Sequence, residues 1–185
     1  MFELEEFIAD CRATASADRS HRYIREVVAR AVSRPADILK ALGEPKRAAI
    51  QKLYCSPNLT VLNVIWAPMM TIVPHDHRMW AVIGMYSGRE DNIFWRRIAD
   101  DPFGEVEAAG ARSLQSGDTE LLGKSIIHSV TNPIPRLSCA IHVYGGDFFA
   151  AERSEWDAET LLEGRFDADA AVRRFDDANK IQSLK

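Results

Sequence analysis

Between Leu59 and Phe149 the chain is cut into short apolar stretches rich in Val, Ile and aromatics, and Pro, Gly, Asn or Asp interrupts them at intervals of about ten residues. This texture predicts an all-β barrel or sandwich. The expected strands are Leu59 to Trp66, Thr71 to His75, His77 to Tyr86, Asn92 to Ile98, Thr119 to Leu122, Ile126 to Thr131 and Leu137 to Tyr144. Closed on itself, a body of this size holds a small ligand.

Helical patterns flank it. Leu4, Phe7, Ile8 and Cys11, then Ile24, Val27, Val28 and Ala31, recur at the spacing of an amphipathic helix. Pro35 opens a third, short helix, which Gly43 and Pro45 stop after Leu42. At the other end a helical segment is expected over Trp156 to Leu162. A charged helix over Asp167 to Ile181 follows, with a thin stripe of Ala168, Ala171, Val172 and Phe175, packing outside the barrel. With 185 residues and no repeat or linker, the expectation is one domain: helices over 1–53, barrel over 54–150, helical tail over 151–185.

Composition narrows the function classes. A net charge of -4 argues against a surface built to neutralise phosphates, so nucleic acid is not an expected partner. No apolar run approaches the roughly 20 residues that span a bilayer. Met1-Phe2-Glu3-Leu4-Glu5-Glu6 lacks the features of a secretory signal, and the expected location is cytoplasmic. Cys11, Cys55 and Cys139 form no C-x-x-C pair and are expected as free thiols. The sequence leaves oligomeric state open.

Two of the five histidines stand one residue apart in Pro74-His75-Asp76-His77. Strand alternation puts both imidazoles on one face, the interior of a barrel, and turns Asp76 away. Two neutral imidazoles there can take up one metal through their unprotonated nitrogens. Farther on, Gly117, His128 and Asn132 follow at intervals of eleven and four residues.

These spacings resemble the two motifs of the cupin superfamily, whose fold is a double-stranded β-helix, the jelly-roll barrel. The resemblance implies such a barrel with N-terminal and C-terminal helical decorations, and a metal on His75, His77 and His128. The match is incomplete: Gly123 and Ser125 stand where the second motif has Pro and Gly, and Ala81 or Val82 stands where the first has a Glu ligand. Three imidazoles without a carboxylate resemble the thiol dioxygenases, which include cysteine dioxygenase and 3-mercaptopropionate dioxygenase. The likeness spans Val61 to Phe149. It is carried most by His75-Asp76-His77-Arg78-Met79-Trp80 with Gly84 and Gly88, and by Ile141-His142-Val143-Tyr144-Gly145.

That resemblance implies Fe(II), with Ni, Zn or Mn as other divalent occupants, and a small thiol and O2 as substrates, the sulfur leaving as a sulfinic acid. It implies His142 and Tyr144 as catalytic groups beside the metal. The family's Ser two residues before that His is Ala140 here, with Ser138 near, and Val82 replaces the Cys that some members cross-link to the Tyr. The Tyr-x-Arg segment that anchors carboxylate in cysteine dioxygenases reads Tyr54-Cys55-Ser56, which leaves Arg153 as the counterpart of the downstream arginine of the 3-mercaptopropionate branch. Of Trp66, Trp80, Trp95 and Trp156, Trp80 is the expected substrate contact. Met69, Met70, Met79 and Met85 are expected to fill the barrel, and His21 to be structural. Two other readings stand beside the dioxygenase: a three-histidine metal cupin acting on a substrate such as a diketone, and a small-ligand-binding barrel without turnover.

Overall fold

The computed structural model describes residues 1–17 and 21–183. Helices α1 (Leu4–Ser16), α2 (His21–Val32) and α3 (Pro35–Leu42) come first. Pro35 sits in the opening turn of α3, where its missing N–H costs nothing, and Gly43 at φ 83° ends it. There follow β1 (Ala49–Ser56), β2 (Leu59–Trp66), β3 (Thr71–Asp76), β4 (Ala81–Ser87), β5 (Arg89–Arg97), β6 (Val106–Gln115) and β7 (Thr119–Leu122). Then come β8 (Ile127–Thr131), β9 (Ser138–Tyr144), β10 (Ser154–Trp156), β11 (Glu163–Arg165) and α4 (Ala168–Ser183).

Every strand pair is antiparallel, in two sheets ordered β1-β2-β9-β4-β7 and β11-β10-β3-β8-β5-β6. The chain passes repeatedly from one sheet to the other, and the fold is a double-stranded β-helix with helices at both ends. Among the described residues no helix is long and apolar enough to cross a membrane.

The five-stranded sheet is buried on both sides, which is why β2 is buried at every position. Outward, Val61, Ile65, Val82, Ile141 and Val143 meet Phe7, Cys11, Ile24, Val28 and Ile38 of the helices. Inward, Leu62, Val64, Trp66, Ile83 and Met85 meet Ile72, Leu114 and Val130 between the sheets. Gly84 marks a close approach of helix to sheet: a Cβ there would collide with Cγ1 of Val28.

The structure corrects several boundaries. Strands begin at Ala49, not 54, because β1 is a half-buried edge whose Gln and Lys hide its alternation. The outer edge strand β6 was not expected at all: Val106-Glu107-Ala108-Ala109-Gly110-Ala111 has little β propensity and is mostly exposed. The strand expected from His77 starts only at Ala81, since Arg78 takes the left-handed conformation at φ 52°. The helix expected over Trp156 to Leu162 is absent. Trp156 ends β10, the Asp157 carboxylate accepts from the N–H groups of Glu159 and Thr160, and Leu161 has φ 56°, all of which divert the backbone from a helix.

The tail helix also sits differently from expectation. Asp167 caps α4 by accepting from the N–H of Ala170, and Asn179 exchanges hydrogen bonds of 2.8 and 2.9 Å with the backbone of Ala48. Phe175 is thereby inserted into the mouth of the barrel, 5.4 Å from Trp66, while Val172 faces out. The helix covers the open end. Met69 is likewise exposed, whereas Met70 and Met85 fill the interior.

Candidate metal centre

His75 near the end of β3 is directly opposite His128 on β8 in the strand register. Facing residues of antiparallel strands have Cβ atoms only about 5 Å apart, so the pairing alone brings these two rings together. His77, one residue past the strand, still follows its alternation and joins them, while Asp76 turns to the other side and accepts from the Ser154 N–H and Arg78. The three rings lie 4.7 to 5.1 Å apart by centroid, and their candidate ligand nitrogens all fall within 4.8 Å of one another. Among the described residues this is the cluster able to hold a metal ion.

The donor set fits a divalent ion. Burial pushes His75 down to about 4 and holds His77 and His128 well below the usual histidine range, so all three are neutral. His75 Nδ1 donates to the Val73 carbonyl at 2.9 Å and His128 Nδ1 to Asn92 Oδ1 at 2.7 Å, which leaves the Nε2 lone pairs of both turned inward. Nε2 of His77 and Nε2 of His128 converge to 3.0 Å. Two nitrogens each ~2.1 Å from one ion, at a right angle, are ~3.0 Å apart.

Tyr144 and His142 point inward from β9. Tyr144 packs edge-on to His77 with centroids 5.0 Å apart, and its hydroxyl is 2.9 Å from His142 Nδ1. Burial depresses His142 to about 3 and raises Tyr144, so a neutral imidazole faces a neutral phenol. Ser138, the stand-in considered for the missing serine at Ala140, is engaged elsewhere: its hydroxyl donates to Asn132 Oδ1. Asn132 ties the turn before β9 through the carbonyls of Ala67 and Arg136, a structural part.

The sequence reading missed Glu90 and Asn92. Glu90 is fully buried, and accepts from Trp66 Nε1 at 2.9 Å and from Asn92 Nδ2 at 3.0 Å. Burial raises it to about 7, against the lowering effect of those two donors. Its Oε2 lies 3.9 Å from His142 Nε2, a nitrogen that has no hydrogen-bond partner. The signal was available in the alternation. Glu90, Asn92 and Phe94 share the phase of β5 that faces inward, but Gly88-Arg89-Glu90-Asp91-Asn92 reads as a polar turn.

Arg153 is 6% exposed, and its Nε and Nη1 have no hydrogen-bond partner. Its guanidinium lies 4.0 Å over the ring of Phe148 and 4.3 Å over that of Phe166. Together with the three histidines, Trp66, Tyr144 and Phe175 it lines a cavity of about 50 Å³, room for a ligand of a few non-hydrogen atoms. Trp80, the expected substrate contact, does not line this cavity. It packs outside, 5.9 Å from His21 and against the backbone of Gly145, whose lack of a Cβ makes room for the indole. Trp66 takes the inward place instead, because β2 runs straight through the interior. Arg78, Arg96 and Arg97 have largely exposed side chains.

No family model matches the chain. Among solved structures it is similar to an RmlC-like cupin family protein with a double-stranded β-helix fold from Methanocaldococcus jannaschii, at 8% identity over 58% of this chain and 87% of that one, TM-score 0.47. A conserved protein with a double-stranded β-helix domain from Klebsiella pneumoniae aligns at 14% identity over 60% of this chain and 83% of its own, TM-score 0.46. Oxalate decarboxylase from Bacillus subtilis aligns at 18% identity over 51% of this chain, TM-score 0.41, and this chain spans only 22% of it. At these levels the likeness concerns the barrel alone. The chemistry rests on the residues described above.

Proposed function

We propose that the protein is an Fe(II)-dependent thiol dioxygenase, converting a small thiol carboxylate to its sulfinic acid with both atoms of O2, on a centre held by His75, His77 and His128. The observation that carries this reading is the unpaired guanidinium of Arg153 opening onto the same cavity as three neutral imidazoles and a phenol. A buried cation with free donors calls for an anion, and its planar fork suits a carboxylate. The described residues that line the cavity include no acidic side chain to receive an ammonium group. The reading therefore favours a thiol acid without an α-amine over cysteine, and over cysteamine.

Iron, when bound, supplies the redox chemistry that joins O2 to sulfur. The protein's own groups orient the reactants. Arg153 takes the carboxylate, and Phe148 and Phe166 hold its guanidinium in place by stacking. The Tyr144 hydroxyl, braced by His142, donates toward oxygen as charge develops on it. Trp66, Phe175 and the aliphatic lining keep water out of a site where exposed intermediates would hydrolyse.

The experiment is metal content and O2 uptake for untagged protein, wild type and Arg153→Ala, with 3-mercaptopropionate, cysteine and cysteamine. The expected result is near-stoichiometric iron in both proteins, and uptake with 3-mercaptopropionate that Arg153→Ala weakens mainly through KM. Iron without uptake on any thiol moves the reading to a substrate such as a diketone. Ligand-dependent melting shifts without turnover leave a binding barrel.

A further inference from the structure

Glu90 is a fully buried carboxylate with no hydrogen-bonded cation, and the chemistry proposed above does not use it. Isolated buried charge is costly, so its hydrogen-bond partners define what it does. The two donors at its oxygens, Trp66 and Asn92, have different freedoms. An indole N–H can only donate, whereas a primary amide can present either its oxygen or its NH2.

We infer that Glu90 is the positioning residue of the metal centre: through Asn92 it sets which nitrogen of His128 carries the proton, and so keeps Nε2 bare for the ion. The inference rests on the assignment of His128 as a metal ligand. The logic follows from donor and acceptor polarity. Both Glu90 oxygens accept, one from Trp66 and one from Asn92, which is the pattern of the ionised carboxylate; in that form Asn92 must turn Nδ2 toward Oε1, the arrangement seen at 3.0 Å. Its Oδ1 then faces His128 Nδ1 at 2.7 Å and, being an acceptor, requires the proton to be on Nδ1. A neutral imidazole has one N–H. Nε2, the atom that approaches His77 Nε2 at 3.0 Å, is left with a free lone pair.

A near-isosteric change should invert the whole chain. In Glu90→Gln the Trp66 indole still only donates, so the glutamine oxygen must stay on that side and its NH2 must face Asn92. Asn92 then has to flip, presenting Nδ2 to His128, whose Nδ1 must now accept. The proton moves to Nε2 and blocks ligation. Removing the indole donor releases the constraint: in Glu90→Gln combined with Trp66→Phe, the glutamine oxygen is free to turn toward Asn92, and the Nδ1–H form returns. A role for Glu90 in packing alone predicts the opposite, since the second substitution would add damage.

The test is Zn(II) affinity, measured by competition with a chromophoric chelator, together with the His128 tautomer of the metal-free protein from long-range 15N–1H correlations. Above pH 7, where Glu90 is ionised, wild type is expected in the Nδ1–H form. Glu90→Gln is expected in the Nε2–H form, with Zn(II) binding weakened about 10- to 100-fold, the range for losing a partner that orients a ligand. Trp66→Phe alone should keep the Nδ1–H form, and the double variant should recover most of the affinity lost in Glu90→Gln. An Nε2–H wild type, unchanged binding in Glu90→Gln, or a double variant no better than the single one overturns the inference. If wild type binds no Zn(II), the metal assignment falls, while the tautomers of wild type and Glu90→Gln still decide the role of Glu90. An Nε2–H wild type overturns the inference whether or not the variants fold.

Discussion

Outward from β9, Cys139, Ile141 and Val143 pack beneath the N-terminal helices; inward from the same strand, His142 and Tyr144 project among three more buried histidines, a carboxylate and a guanidinium. Adjacent residues thus serve opposite ends. The outer layer is nearly pure hydrocarbon and stabilises the fold by burial. The inner layer holds its polar groups at a cost in stability, because each must stay neutral or find a partner out of water. The hydrocarbon layer and the candidate site are divided by one sheet, and changes on its two sides should have separable effects.

The largest separation is expected from His128→Ala. Metal affinity should fall by more than about 100-fold with loss of one of three ligands, while circular dichroism of the metal-free protein is unchanged. A variant that unfolds instead would mean that His128 serves the core. Acid should act on the inner layer next. His75 and His142 are neutral in the fold down to about 4 and about 3, and unfolded histidines protonate near 6.5. Their contribution is present above pH 6.5 and is lost as pH falls from there, by roughly 3 kcal/mol for His75 and roughly 5 kcal/mol for His142 once the folded value is passed. Glu90, raised to about 7, has the opposite sign, losing stability as pH rises from 4.5 to 7. Four depressed histidines outweigh one raised carboxyl, so denaturant unfolding of the metal-free protein should show a fall of several kcal/mol between pH 7 and pH 5. A flat profile would place these rings in contact with water.

On the outer side the readouts should reverse. Ile24→Ala, which deletes a buried side chain of α2, is expected to cost about 2 to 5 kcal/mol in unfolding free energy and to leave one metal bound per chain. Gly84→Ala is the finest probe, because its methyl group must push against Val28 and Val32. An expected loss of about 1 to 3 kcal/mol, with unaltered metal affinity, would show that the helices carry no signal to the centre. Altered affinity would show that the sheet transmits strain.

The helices and most of the barrel were legible because their signals are local. Periodicity marks α1 to α3, Pro35 and Gly43 mark the limits of the last of these, and alternation with turn residues gives β2 and β7 to the residue. The clustering of His75, His77 and His128 was legible in two ways: alternation gave the first two a common face, and the third was added by the resemblance of its spacing from Gly117 and Asn132 to a cupin motif. What escaped lacks a local signature. Edge strands β1 and β6 depend on a partner strand and not on their own composition, and Asp157 and Leu161 end a helical pattern through backbone conformation.

By itself, then, the sequence determined that a β-barrel with helical ends would carry two histidines on one inward face, since alternation is a property of a single strand. Only the tertiary structure decided who completes the centre. It brought Glu90 and Asn92 of β5 behind His128, chose Trp66 over Trp80, and buried Arg153 between Phe148 and Phe166 at the same cavity. Those neighbours lie 24 to 36 residues apart in the chain for the Trp66–Glu90 and Asn92–His128 pairs. Their contacts follow from strand register and from the side of the barrel on which each loop closes, and no spacing in the sequence encodes either.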